Sequence, residues 1–178
     1  MNQIKKIIIT GPPGTGKTSI ITHLKNLGYF CFDEIWKENY KNPTKEHNSN
    51  EIENFSKYLF KKRKEQFEFK ITSKSTIKNM VFYDRSLIDV VSYLITYKKQ
   101  TPVNWIEYIK EKKYYKNIFY CPLWNNIYEN NSRRKEKYQD TIKIDEDMRH
   151  LYKKLGYNIK ELDKKNIHSR VEFILNNI

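Results

Sequence analysis

Alanine is missing from this 178-residue chain, and arginine is scarce, with six residues against 28 lysines, 22 isoleucines and 18 asparagines. An AT-rich coding sequence imposes this bias, since lysine, asparagine and isoleucine use AT-rich codons and alanine does not. The formal net charge of +13 is therefore read first as a solvated lysine surface, with nucleic acid a partner that is possible but not favoured. Two cysteines, Cys31 and Cys121, make no disulfide framework, and each lies in an apolar run where a reduced thiol packs as a small hydrophobe. No apolar run approaches the roughly 20 residues that span a bilayer. Ile7-Ile8-Ile9 behind Lys5-Lys6 is also too short for a signal-peptide core. The expectation is a cytoplasmic protein with no membrane partner. His23, His47, His150 and His168 have no ligand spacing with one another or with cysteine, so zinc is not supported. No Ser-His-Asp or Cys-His nucleophile set stands out, and no internal repeat or low-complexity tail is present.

The apolar content is low, at 38%, yet nine Phe, fourteen Tyr and three Trp supply large side chains for a core. The length predicts one domain over residues 1–178. Strands are expected at Ile4 to Thr10, Tyr29 to Phe32, Met80 to Tyr83, Ile118 to Cys121 and Asn158 to Leu162. Helical spacing marks the segments between them. Ile20, Ile21, Leu24 and Leu27 share one face, as do Ile52, Phe55, Leu59 and Phe60, and then Leu87, Val91, Leu94 and Ile95. Further helices are expected around Trp105, Ile106 and Ile109, along Ile144, Met148, Leu151, Tyr152 and Leu155, and along Val171, Ile174, Leu175 and Ile178. Gly28 and Gly156 each stand in a Leu-Gly-Tyr triplet that stops a helix before a strand. Residues 37–50 and 128–140 are polar and aperiodic, and read as loops. Strands alternating with helices predict an α/β fold with a mostly parallel five-stranded sheet and helices on both faces.

Gly11-Pro12-Pro13-Gly14-Thr15-Gly16-Lys17-Thr18, followed by Ser19, satisfies G-x-x-x-x-G-K-[ST] between the first strand and the first helix. Glycines in such a loop let backbone N–H groups turn inward onto phosphate oxygens, and the helix N-terminus adds partial positive charge. Lys17 is expected on the β- and γ-phosphates of ATP, and Thr18 on Mg²⁺. The octapeptide is also spelled as in the AAA+ motor ATPases. Those machines need an Asp-Glu strand well downstream, sensor segments and a helical lid domain, for which 178 residues leave little room. Met80-Val81-Phe82-Tyr83-Asp84 supplies the expected second carboxylate strand, so Asp84 is the candidate metal residue and Asp33-Glu34 falls to the acceptor side.

Asp84-Arg85-Ser86, with Asp89 and Tyr93 on the next helix, resembles the pattern of nucleoside kinases and of the small NadR-type AAA-domain ATPases. The resemblance extends to Arg133-Arg134, to Leu-Tyr-Lys-Lys-Leu-Gly-Tyr at 151–157 and to Arg170-Val171-Glu172-Phe173-Ile174-Leu175. It implies a three-layer P-loop NTPase fold with kinase-like strand order, the Asp84 strand lying beside the P-loop strand. It also implies transfer of the ATP γ-phosphoryl to a small-molecule acceptor, a nucleoside, a nucleotide or a related metabolite. Asp163 stands where such proteins often carry a proline after the last strand.

In that scheme Glu34 accepts or orients the acceptor hydroxyl, with Asp33 as second choice, while the bland alternative for both is a solvated or capping carboxylate. Asp84 holds the Mg²⁺ shell or merely pairs with Arg85, and Arg85 grips the acceptor or its phosphate through its planar fork. Arg133 and Arg134 fall in a segment at about 124–140 where small kinases keep a lid, unless they belong to a plain basic loop. Asp89, Tyr93 and Trp36 line an acceptor pocket or belong to the core. Two other functions remain compatible with these residues: a nucleotide-gated ATP/GTP-binding switch with slow hydrolysis, and a polynucleotide 5′-hydroxyl kinase.

Overall fold

The computed structural model describes residues 3–35, 49–124 and 138–178. Five strands form one all-parallel sheet: β1 (Lys5–Thr10), β2 (Phe30–Phe32), β3 (Met80–Asp84), β4 (Asn117–Tyr120) and β5 (Asn158–Glu161), in the order β2-β3-β1-β4-β5. The strand carrying Asp84 thus lies beside the P-loop strand, in register from Lys5↔Met80 to Ile9↔Asp84. Among the described residues six α-helices connect or follow these strands: α1 (Lys17–Asn26), α2 (Ser49–Glu68), α3 (Leu87–Thr96), α4 (Val103–Glu111), α5 (Tyr138–Lys154) and α6 (Ile167–Asn176).

Three layers follow from the two-residue period of the buried strands. Ile7 and Ile9 of β1, Phe82 of β3 and Phe119 of β4 face α1 and α6, where they pack with Ile20, Ile21, Leu24, Val171 and Ile174. Ile8, Val81, Tyr83, Ile118 and Tyr120 face the other way, onto residues of α2, α3, α4 and α5. Five-residue β3 is buried at every position, as a strand covered on both faces must be. Among the described residues no helix is long and apolar enough to cross a membrane.

Several details depart from the sequence pattern. Leu27 and Ile95, expected on buried stripes, are 47% and 43% exposed. Leu27 is the cap of α1 rather than part of it, and the buried face of α3 is carried instead by Leu87, Ile88, Val90, Val91 and Leu94. Two short 3-10 turns, Ser73–Ser75 and Ile77–Asn79, precede β3 where no period was legible.

Candidate active site

In a parallel sheet the strand ends that share one edge bring distant residues together, and ligands sit where the carboxyl ends face the connecting loops. Here Thr10 ends β1, Asp33 and Glu34 follow β2, and Asp84 ends β3. Gly11 starts the loop at φ 139°, and a Cβ placed there would stand 2.2 Å from the Cys121 carbonyl oxygen. Only glycine lets the chain pass this close to the end of β4, which is itself fixed by Cys121 N–H donating to Thr10 O at 2.7 Å. Gly16, at φ 81°, opens α1 without any side-chain cap, and the first turn of the helix carries no acidic residue. The first backbone donors of α1 are left for an anion.

Lys17 is 4% exposed and donates to Pro12 O at 2.7 Å and Thr15 Oγ1 at 3.3 Å. Burial is the main reason its pKa falls from the ordinary lysine value to about 8, with Arg85 adding repulsion against the pull of Glu34 and Asp84. Thr18 Oγ1, on the exposed side of the first turn, donates to Asp84 Oδ2 at 3.3 Å. The other carboxylate oxygen of Asp84 is buried and has no hydrogen-bond partner among the described residues. Burial, and then the neighbouring Glu34 carboxylate, push the Asp84 carboxyl above the usual aspartate range, although Lys17, Arg85 and Arg63 pull against them. An orphaned carboxylate oxygen beside a threonine hydroxyl is a donor set that suits Mg²⁺, which takes oxygen ligands and keeps several waters. Thr18 and Asp84 therefore fit the metal that the loop implies.

Arg85 joins the two halves of the site. Its backbone lies at φ 71°, a left-handed conformation that costs energy for a side chain of this size, and its N–H donates to Ile9 O at 3.0 Å. The guanidinium donates through Nε to Glu34 Oε1 at 2.6 Å and through Nη1 to Gly11 O at 3.0 Å, and Asp89 Oδ1 lies 3.8 Å away. Burial alone would raise the Glu34 carboxyl. The cations Arg85, Lys17 and Arg63 outweigh it and hold the group well below the usual range, so Glu34 is ionised.

Asp33 points elsewhere: its exposed carboxylate pairs with Lys25 of α1. Asp89 is buried within a capping box, where Oδ2 accepts from Ser86 N at 2.7 Å, Ser86 Oγ at 2.8 Å and Tyr152 OH at 2.7 Å, while Oδ1 accepts from Thr10 Oγ1. Tyr93, half-buried on α3, stacks at an angle on Tyr97 at 4.6 Å. Ser19 is exposed one position beyond Thr18. Trp36, the loop around Pro43, Arg133 and Arg134 lie outside the described residues.

Two arginines to which the sequence reading gave no role support the same site. Arg63 of α2 is buried and donates through Nη1 to Ser86 O at 2.7 Å. Arg170 of α6 is also buried, and its Nη1 and Nη2 reach Thr15 O in the P-loop at 3.2 and 3.3 Å. Each has a buried Nε without a partner among the described residues.

A phosphate loop between β1 and α1, with the second carboxylate on the neighbouring strand, defines a P-loop NTPase of kinase-like strand order. Residues 6–170 match the family model AAA_28, whose description is AAA domain, and the chain belongs to that family. No curated protein matches the sequence. Among solved structures the fold is similar to deoxyadenosine kinase from M. mycoides with bound dATP, at a TM-score of 0.67 and 17% identity over 97% of each chain. It is similar to NadR protein in complex with NR, at a TM-score of 0.69 and 14% identity, where 97% of this chain spans 51% of that one. Thymidylate kinase from Ehrlichia chaffeensis gives 0.64 and 13% over 98% of both chains.

Proposed function

We propose that this protein is an ATP- and Mg²⁺-dependent phosphotransferase, acting in the cytoplasm, which moves the γ-phosphoryl to a hydroxyl or phosphate of a small nucleoside-like acceptor. The observation that carries the reading is the Glu34–Arg85 ion pair beside the P-loop, 2.6 Å long and tied to Gly11 O. A loop that only held or slowly hydrolysed nucleotide would need Lys17, Thr18 and Asp84. A second carboxylate, kept ionised at the mouth by three cations, is a group for an incoming hydroxyl. The nucleoside and nucleotide kinases that share the fold favour that class of acceptor.

Phosphoryl transfer asks the protein mostly for positioning and charge stabilisation. The open N–H groups of α1 and the Lys17 ammonium bind the phosphate oxygens. Thr18 and Asp84 would hold Mg²⁺, which when bound neutralises charge on the β- and γ-phosphates. Arg85 orients Glu34 and presents its remaining N–H groups to the acceptor oxygen or its phosphate. Glu34, being a weak base, orients the acceptor hydroxyl and takes its proton late, once the bond to phosphorus has made that proton acidic. Asp89 acts through Ser86, Tyr152 and Thr10 as a positioning residue for the Asp84-Arg85 turn. Arg133 and Arg134 would close over the transferring phosphoryl from the lid segment.

The test is ³¹P NMR of the protein with Mg·ATP and a pooled panel of nucleosides, nicotinamide riboside and nucleoside monophosphates, with Lys17→Ala as control. A new phosphoester signal, formed with ADP and lost in the control, is expected. Free phosphate alone would overturn the reading in favour of a slow hydrolytic switch, and phosphorylation of only a 5′-hydroxyl oligonucleotide would move the acceptor to polynucleotides.

A further inference from the structure

The sheet has a second edge. Lys5 and Lys6 begin β1, Lys78 and Asn79 lead into β3, and Lys113 to Lys116 lead into β4. Because β1 lies between β3 and β4 and all three run parallel, the topology gathers these approaches at the amino ends of the strands. They line a cleft of about 670 Å³, whose walls include Lys5, Lys6, Lys78, Lys113, Lys116 and Tyr115. At ~3.3 Å per residue along β1, the cleft lies roughly 17 Å from the P-loop.

Half of the residues lining the cleft are lysine, against 28 of 178 in the chain, so compositional bias alone does not account for it. No carboxylate lines it. Glu68, whose charge acts on Lys6, is engaged by Tyr108 OH at 2.8 Å, and Glu111 by Lys112 Nζ at 2.5 Å. Lys78, Lys113 and Lys116 are exposed and enter none of the ion pairs among the described residues. Lys6 is half-buried, with its ammonium over the Phe67 ring and donating to Phe67 O, and Lys5 lies 5.1 Å from the centroid of the Tyr115 ring. On a convex surface such lysines would spread into solvent. Held around a concavity they repel one another, and low-dielectric walls focus their potential inward, which is unfavourable until an anion fills the space.

We propose that this cleft is a second anion site, which binds a small, multiply phosphorylated molecule through its chain of phosphates. Phosphate suits it because ammonium groups act as point charges on phosphate oxygens, while planar carboxylates favour the arginine fork, and no arginine is present here. A small ligand suits it better than a nucleic-acid strand. Strand binders track the backbone along a groove with successive aromatic platforms, whereas this cleft offers one partly exposed ring, Tyr115, since Tyr114 is buried.

The full chain carrying Lys17→Ala, which silences the P-loop, is titrated calorimetrically with sodium tripolyphosphate in about 0.1 M KCl without Mg²⁺. The same titration follows after adding Lys78→Gln, Lys113→Gln and Lys116→Gln. The expected result is one equivalent bound, with affinity about 30-fold weaker in the added variant, and nucleotide binding unchanged when the three Gln substitutions are placed on the native P-loop. Amide shifts confined to Lys78, Lys113, Tyr115 and Lys116 in ¹⁵N-correlated spectra locate the site without relying on the variant. Absence of binding, unchanged affinity in the added variant, or shifts only around residues 11–19 would overturn the proposal. Tighter binding of single-stranded oligothymidylate than of tripolyphosphate would overturn it in favour of a nucleic-acid groove.

Discussion

Among the described residues two protein oxygens solvate Lys17, whose pKa burial lowers to about 8. Bound phosphates favour the charged ammonium, so the complex retains a proton that the free loop loses above that pH. Nucleotide affinity is therefore expected to be full below about pH 7.5 and to fall by up to about tenfold per pH unit above pH 8. A fluorescent ATP analogue titrated across this range reads the slope, and Lys17→Met should bind weakly with no such slope. The two acceptor-side carboxylates should separate cleanly. Glu34→Gln removes the nearer of the two ionic partners of Arg85, leaving Asp89 at 3.8 Å, and is expected to lower kcat at least about 100-fold while ATP binding changes less than about threefold. Asp33→Asn, which removes only an exposed pair with Lys25, should leave both within about twofold. Equal effects of the two substitutions would remove Glu34 from its role. The P-loop residues, Asp84 and Arg85 were legible because their chemistry demands neighbours in sequence. The roles of Arg63 and Arg170 were not, since each acts on a backbone carbonyl far along the chain, even though Arg170 stands in the closing motif of the resemblance. The signal the two share is rarity: in a chain with 28 lysines and six arginines, all four described arginines make hydrogen bonds with protein oxygens.

At the scale of elements, strands β1 and β3 and helix α1 were readable to within a residue or two, because a continuous apolar run beside glycine punctuation has few alternative folds. Three-residue β2 was readable only through the Gly28 stop before it. The 3-10 turns before β3 escaped notice, since polar residues there hold no period and Lys78 and Asn79 adopt left-handed angles that propensity disfavours. The joint between the P-loop and the end of β4 leaves no room for a side chain at Gly11, and it yields a prediction. Gly11→Ala forces a side chain to 2.2 Å from the Cys121 carbonyl at a backbone angle that alanine avoids. It is expected to destabilise the fold by ~3 kcal/mol or more, a fall in Tm of about 6–12 °C for a chain of this size. A thermal melt followed by circular dichroism checks it, and a Tm within about 2 °C of the native value would contradict the close approach.

At the scale of the whole molecule, two hydrophobic clusters share one sheet, with Ile8 on one face and Ile7 and Ile9 on the other. A molecule divided this way by its own central strand should unfold as one unit. Calorimetry is expected to give a single transition over the described elements, raised by about 5–11 °C when Mg·ATP is present at 100 times its Kd. Two resolved transitions would contradict the single domain over residues 1–178. The overall architecture was legible because strand and helix patterns alternate. The sheet order was supplied by resemblance rather than by periodicity, which carries no information on which strands pair.

The bond from Arg170 to Thr15 closes a contact across 155 residues of sequence. During synthesis the phosphate loop is made 155 residues before the side chain that steadies it. A nascent chain therefore carries a readable phosphate-loop motif long before it carries the finished loop, whose support is in place only after Arg170 has itself left the ribosome.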